Sequence, residues 1–209
     1  VTMLPHARLV LVRHGESEAN AANRFTGSAD PALTPLGHRQ AEAIAHRLIA
    51  QGIRPARIFR STLRRCADTT AIVTAVMGAP DVPITADRSL NERDYGALTG
   101  LNKTEASDRY GEDQVLQWRR SYAAAPPHGE SLRDTAARVL AYYVRTMLPA
   151  VMSGGTTLVV SHGNALRALV MALDGLDAAR VETLDIPTGG AILYDFSSTT
   201  AIIDRAILQ

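Results

Sequence analysis

Apolar positions along the chain follow two rhythms. Leu9-Val10-Leu11-Val12 is a short apolar run that stops at Arg13-His14-Gly15 and reads as a buried strand. From Leu36 the rhythm changes: Leu36, Ala41, Ile44, Ala45 and Leu48 recur at helical spacing. Thr34 is placed to cap this helix. Pro35 fits its first position, where a missing N–H costs nothing, and Gly52 ends it. Arg57-Ile58-Phe59 predicts a second strand, followed by a helix capped by Ser61 or Thr62 and running to about Met77. Ser131-Leu132-Arg133-Asp134 resembles a capping box ahead of Ala136, Val139, Leu140, Tyr143 and Met147, a helix expected to end or kink near Pro149. Thr156 to Val160 is another apolar strand, ending in Ser161-His162-Gly163, with a helix from about Ala165 to Leu173. Ala191 to Phe196 and Ala201 to Ala206 predict a closing pair of strands.

Short strands alternating with helices indicate an α/β fold: a mostly parallel central sheet with helices on both faces. The 209 residues fit one domain, 1–209. The polar stretch from Asn91 to Pro127, with Gly96, Gly100, Gly111 and Pro126-Pro127, reads as a helical, lid-like excursion.

Composition narrows the function classes. Hydrophobic residues at 46% and charged residues at 21% exclude disorder and collagen-like sequence. Lys+Arg 22 against Asp+Glu 21 gives a net charge of +1, so no global charge draws the chain to nucleic acid or a membrane surface. Anion chemistry must come from a local cluster. The single Cys66 suits a reducing compartment, and a cytoplasmic location is expected. No run approaches the roughly 18 apolar residues of a membrane span. Val1 to Arg8 lack the apolar core of a leader.

Two strands end in histidine followed by glycine, at His14-Gly15 and His162-Gly163. In open α/β sheets ligands bind beyond the carboxyl ends of the strands, so both histidines are expected at one rim. Glycine after each permits close backbone approach to a ligand. Zinc needs three or four Cys, His, Asp or Glu ligands, whereas the residues around this rim are arginines, which repel a cation; no metal is expected. Arginine beside histidine suits phosphate, whose oxygens match the guanidinium fork. Arg65 falls in the first turn of a helix, where free N–H groups favour anions, although taken alone it, or its neighbour Arg64, reads rather as a solvated surface charge.

Arg13-His14-Gly15-Glu16-Ser17 resembles the signature of the histidine phosphatase superfamily, with its phosphoglycerate mutase-like fold. Asn23-Arg24-Phe25-Thr26-Gly27, Leu33-Thr34-Pro35-Leu36-Gly37, Leu90 to Gly96, Leu98 to Lys103, Gln117 to Tyr122, Ser161 to Arg167 and Asp185 to Gly189 resemble the cofactor-dependent phosphoglycerate mutases. The resemblance runs from Arg8 to about Phe196. The Asn102-Lys103 and Trp118-Arg119-Arg120 elements separate these mutases from broader phosphatases of the superfamily. It implies His14 as the phosphoryl-accepting nucleophile, Arg13, Arg65 and His162 around the phosphate, and Glu92 as general acid/base. It implies phosphoglycerate binding by Ser17, Asn20, Thr26, Gly27, Tyr95, Lys103, Arg119, Arg120, Gly163 and Asn164. It also implies 2,3-bisphosphoglycerate as primer and a homodimer, formed through the strand near Arg57–Phe59.

The residues themselves agree with that chemistry. A neutral imidazole is a competent nucleophile near neutral pH, and phosphoryl transfer needs mainly positioning and charge stabilisation. Lys103, Arg119 and Arg120 suit a second phosphate and a carboxylate, but on charge alone they read equally as a basic helical face. Trp118 and Tyr122 beside the arginines could stack on bases, and the balanced net charge argues against nucleic acid. A phosphatase, or a regulator that only binds a phospho-ligand, remains the alternative. The sequence departs from the resemblance at Ala19, where tryptophan is usual. After Pro126-Pro127 it passes straight to His128-Gly129-Glu130-Ser131, where longer members carry an insert, and it ends at Gln209, where they carry a tail. A less covered site is expected.

Overall fold

The computed structural model describes residues 7–208. The N-terminal stretch read for a leader lies, apart from Ala7 and Arg8, outside the described residues. The chain begins with β1 (Ala7–Arg13), α1 (Glu18–Ala21), α2 (Pro35–Ala50), β2 (Pro55–Arg60), α3 (Arg64–Val76) and β3 (Ile84–Ala86). Two 3-10 turns, Arg88–Leu90 and Gly96–Leu98, lead to α4 (Lys103–Tyr110) and α5 (Glu112–Arg120). Then come α6 (Leu132–Tyr142), a π-helical turn at Tyr143–Met147, α7 (Leu148–Met152), β4 (Gly155–Ser161), α8 (Gly163–Leu173), α9 (Ala178–Thr183), β5 (Ala191–Phe196) and β6 (Ile202–Leu208).

The six strands form one sheet in the order β3-β2-β4-β1-β5-β6. The pairings among β1 to β4 are parallel, and β5 and β6 close the sheet antiparallel. Helices cover both faces of β1. Leu9 and Leu11 pack into one core with residues of α6 and α8, and Val10 and Val12 into a second with residues of α2 and α3. That burial is why Leu9 to Val12 is an uninterrupted apolar run instead of an alternating one. A third, small core of Phe25, Leu98, Ala106 and Val115 lies under the Asn91–Pro127 excursion. Among the described residues no helix is long and apolar enough to cross a membrane.

Local signals mostly act where the sequence places them. Thr34 caps α2 by accepting from the Gly37 N–H at 3.0 Å. Ser131 and Asp134 close a reciprocal capping box at the start of α6. Helix α3 differs from expectation. It starts at Arg64, and the side-chain oxygen that meets its first N–H comes from Asp30, at 2.7 Å, 34 residues earlier. Ser61 instead accepts from the Leu63 N–H, and its hydroxyl donates to Asn91. The helix after Ser131 also does not stop at Pro149. Its ladder widens into the π turn ahead of the proline and then continues to Met152. A proline has no N–H to give and crowds the carbonyl four residues back, and a wider turn accommodates both.

The strand near Arg57–Phe59 has β4 on one side and, on the other, β3, which pairs with Ile58–Arg60.

Candidate active site

The ends of β1 and β4 are neighbours in register, with Arg13 opposite Ser161. This brings the two strand-terminal histidines together, their ring centroids 5.0 Å apart at 62°. Both are buried, His14 at 2% and His162 at 0% exposure. His14 Nδ1 lies 2.6 Å from the Gly15 carbonyl. A carbonyl only accepts, so Nδ1 carries the proton and the lone pair is on Nε2, the tautomer a nucleophile needs. Burial, then the charges of Arg65 and Arg13, push the His14 pKa well below the usual imidazole value, with the Gly15 carbonyl acting the other way. The ring is therefore neutral at neutral pH.

The tight turn after β1 depends on two glycines. A Cβ on Gly15 would come within 2.2 Å of the Gly37 carbonyl oxygen, and one on Gly37 within 2.1 Å of the Glu16 carbonyl oxygen. The nucleophile loop thus lies backbone to backbone on the first turn of α2. The side chain of Gln40 also accepts from the Glu16 N–H at 2.7 Å.

Arg65 is 1% exposed. Its guanidinium donates to the Ala29 carbonyl at 2.8 Å, the Gly27 carbonyl at 3.3 Å and His162 Nδ1 at 3.2 Å. Arginine only donates, so His162 Nδ1 is an acceptor and its Nε2–H faces Ser61 Oγ at 2.8 Å. Both ring nitrogens of His162 are engaged by the protein. His162, which the resemblance implies is one of the groups around the phosphate, also orients Arg65. Burial, Arg65, His14 and Arg13 hold its pKa well below the usual value. The thiol of Cys66 lies 3.4 Å from His162 Nε2, and burial raises it to about 12, so it is an inert packing group.

Beside the pair opens a cleft lined by Arg13, Asn20, Thr26, Glu92, Tyr95, Lys103, Arg119, Arg120, Gly163 and Asn164. These are ten of the fifteen residues the sequence singled out. His14, His162, Arg65, Ser17 and Gly27 do not line it. Ser17 is fully buried, and its hydroxyl closes a capping box with Asn20 at the start of α1. Gly27 contributes the carbonyl that holds Arg65. Arg13 donates to the Ile186 carbonyl, and its Nε is buried with no partner. Glu92 Oε1 accepts from the Asn164 N–H at 3.1 Å and the Arg93 N–H at 2.9 Å, which places its carboxylate at the N-terminus of α8. Its neighbour Arg93 is fully buried, its guanidinium 4.6 Å over the Tyr95 ring.

The cleft is cationic. Its lining includes Arg13, Arg24, Lys103, Arg119, Arg120 and Arg167, six cations against the carboxylates Glu92 and Asp185. On a chain of net charge +1, this is the local anion-binding cluster that composition required. Burial first, then Arg119, lowers the Lys103 pKa. Burial, Arg93 and Arg120 lower that of Arg167 to about 10. Burial alone would raise the Tyr95 phenol, yet Arg93 beside it brings it below its ordinary value. Tyr95 Oη accepts from Arg93 at 3.1 Å and Asn164 at 3.2 Å. Sequence reasoning did not single out Arg24, Phe25, Arg167 or Asp185. Arg167 had a usable signal: it follows Asn164 by three residues on one helix face and donates to its side chain at 2.9 Å.

A buried histidine pair with an adjoining cationic cleft is a phosphoryl-transfer arrangement, and residues 9–206 match the model of the histidine phosphatase superfamily, branch 1. The chain belongs to the histidine phosphatase superfamily. It is 50% identical over 201 residues to a protein of Methylobacterium sp. (strain 4-46) named 2,3-bisphosphoglycerate-dependent phosphoglycerate mutase, covering 96% of this chain and 97% of that one. A protein of the same name from Beijerinckia indica is 47% identical, with 96% and 97% covered. Similar solved structures are less alike in sequence. A mycobacterial glucosyl-3-phosphoglycerate phosphatase has a TM-score of 0.80 at 27% identity, covering 97% of each chain. The YhfR protein of Bacillus stearothermophilus has a TM-score of 0.82 at 25% identity, with 93% of each covered.

Proposed function

We propose that this histidine phosphatase superfamily member interconverts 3-phosphoglycerate and 2-phosphoglycerate, primed by 2,3-bisphosphoglycerate. The observation that carries the reading is the six-cation cleft beside a neutral, correctly tautomerised His14. A monophosphate ester needs only the cations at the histidine pair. A bisphosphate that also bears a carboxylate needs a second group of cations, and Lys103, Arg119 and Arg120 supply it. The names of the relatives at 47–50% identity support the same reading.

In this scheme phospho-His14 gives its phosphoryl group to the 2-hydroxyl of 3-phosphoglycerate. The N–P bond breaks, an O–P bond forms, and Glu92 takes the hydroxyl proton. The 2,3-bisphosphoglycerate so formed turns in the cleft. Its 3-phosphoryl group returns to His14 Nε2, Glu92 gives the proton back to the departing oxygen, and 2-phosphoglycerate leaves. Arg13 and Arg65 stabilise the charge of the transferring group. Bisphosphoglycerate from solution phosphorylates His14 to start the cycle.

The second reading is a phosphomonoesterase, in which water takes the phosphoryl group. The names of the solved structures favour it, at much lower identity. One assay separates the two: 3-phosphoglycerate conversion with and without primer, with phosphate release measured in the same tube. Primer-dependent isomerisation, faster than phosphate release, is expected. Phosphate release with no 2-phosphoglycerate would overturn the proposal. A homodimer and a cytoplasmic location accompany the mutase reading, and light scattering tests the first.

A further inference from the structure

Glu92 sits on the short segment from Ser89 to Asp94, which has no regular sheet or α-helical ladder to fix it. Its carbonyls are nevertheless held. Ser161 Oγ, at the end of β4, donates to the Leu90 carbonyl at 2.7 Å. Arg138, in the second half of α6, donates to the carbonyls of Ser89 at 2.9 Å, Asn91 at 3.0 Å and Glu92 at 3.0 Å. Its two remaining N–H groups engage both carboxylate oxygens of Glu130 at 2.9 Å. All five guanidinium donors are thereby used. Glu130 completes the frame by accepting from the Asp94 N–H at 3.1 Å.

We propose that Arg138, locked by Glu130, is the positioning residue for the acid/base carboxyl of Glu92. The inference rests on the role given to Glu92 above. Of the residues from Ser89 to Asp94 only Glu92 lines the cleft, so a frame around this segment fixes one functional group. The bidentate pair with Glu130 holds the Arg138 guanidinium in one orientation. Its five-donor geometry fixes a backbone that the chemistry requires in one place. Lysine, with three donors on a single nitrogen, cannot reproduce it.

Leaving-group dependence tests this. Transfer from 2,3-bisphosphoglycerate to His14 expels an alkoxide that needs the proton of Glu92. Transfer from 4-nitrophenyl phosphate expels a stable phenolate that leaves without one. Acid-labile labelling of the protein follows both reactions. Arg138→Gln should slow transfer from bisphosphoglycerate about 10–100-fold, the size of effect expected from sub-ångström misplacement of a reacting group. Transfer from 4-nitrophenyl phosphate should stay within about threefold, because His14, Arg13 and Arg65 are untouched. Arg138→Lys should show the same selectivity with a smaller loss, and it carries the test if the glutamine variant does not fold. Equal losses from both donors, or no loss from either, overturn the proposal. Glu92→Gln, run alongside, should show the same selectivity more strongly, about 10²–10⁴-fold on bisphosphoglycerate. If Glu92→Gln is selective and the Arg138 variants are not, only the Arg138 inference fails. If Glu92→Gln is not selective either, the acid/base assignment falls with it.

Discussion

The histidine pair and the cationic cleft lie side by side but are built on different principles. The pair ends two interior strands, is 2% and 0% exposed, and is fixed by backbone carbonyls and by Arg65. Apart from Arg13, at the end of β1, the cleft's cations come from elements outside the sheet: Lys103 opens α4, and Arg119 and Arg120 close α5 over the small third core. One region strips water from neutral imidazoles beside fixed charges. The other leaves long side chains partly solvated, as with Arg120, whose side chain is 37% exposed and 3.8 Å from Asp185. Phosphoryl transfer tolerates little misplacement, whereas the proposed mutase reaction, in which the bisphosphate turns over within the site, calls for cations with slack. The two regions divide those requirements.

The largest effect should come from the buried side. His14→Ala should abolish both phosphoryl transfer and acid-labile phosphorylation of the protein. Mutase activity above trace in that variant would mean that no phosphohistidine is on the path. On the cleft side the effect should be selective. Arg119→Ala with Arg120→Ala should lower the ratio of isomerisation to bisphosphoglycerate hydrolysis, because isomerisation needs the bisphosphate kept through its turn and hydrolysis needs only phospho-His14 and water. Both rates measured in one reaction give the ratio, and a proportional drop in both would assign the arginines to general phosphate binding.

The smallest effect is on stability. His14 and His162 have folded-state pKa values well below the usual 6.5, so the unfolded chain binds protons that the folded chain refuses. Their contribution is fully present above the unfolded value and is lost as pH falls below it. Each proton adds a slope of up to about 1.4 kcal/mol per pH unit. Melting temperature should therefore fall from about pH 6.5 downward, and His14→Gln should make the fall shallower. An unchanged slope in that variant would place the titration elsewhere.

What could be read from the sequence follows this same division. Buried interior strands announce themselves as apolar runs, and caps such as Thr34-Pro35 and Ser131-Asp134 act within four residues, so β1, β4, α2 and α6 were legible. Two His-Gly strand ends sufficed to locate the rim. The start of α3 was misread because Asp30, its partner, is remote in sequence. Strand β3 has three residues and α1 four, too short for periodicity to show. Arg138 carries no sequence signal that sets it apart from the other charged residues of α6. Nothing in a one-dimensional pattern says that its guanidinium ends beneath a loop 46 residues away.

The contact between Gly15 and Gly37 bears on how this protein can vary. Most crowded substitutions are forgiven when a neighbouring side chain shrinks, which gives a genetic route to second-site suppressors. Here the atoms a new methyl would meet are main-chain oxygen, carbon and nitrogen, present in every residue type. No replacement elsewhere makes room, so a saturation library should be empty at both positions, and an unlinked suppressor of either should not arise.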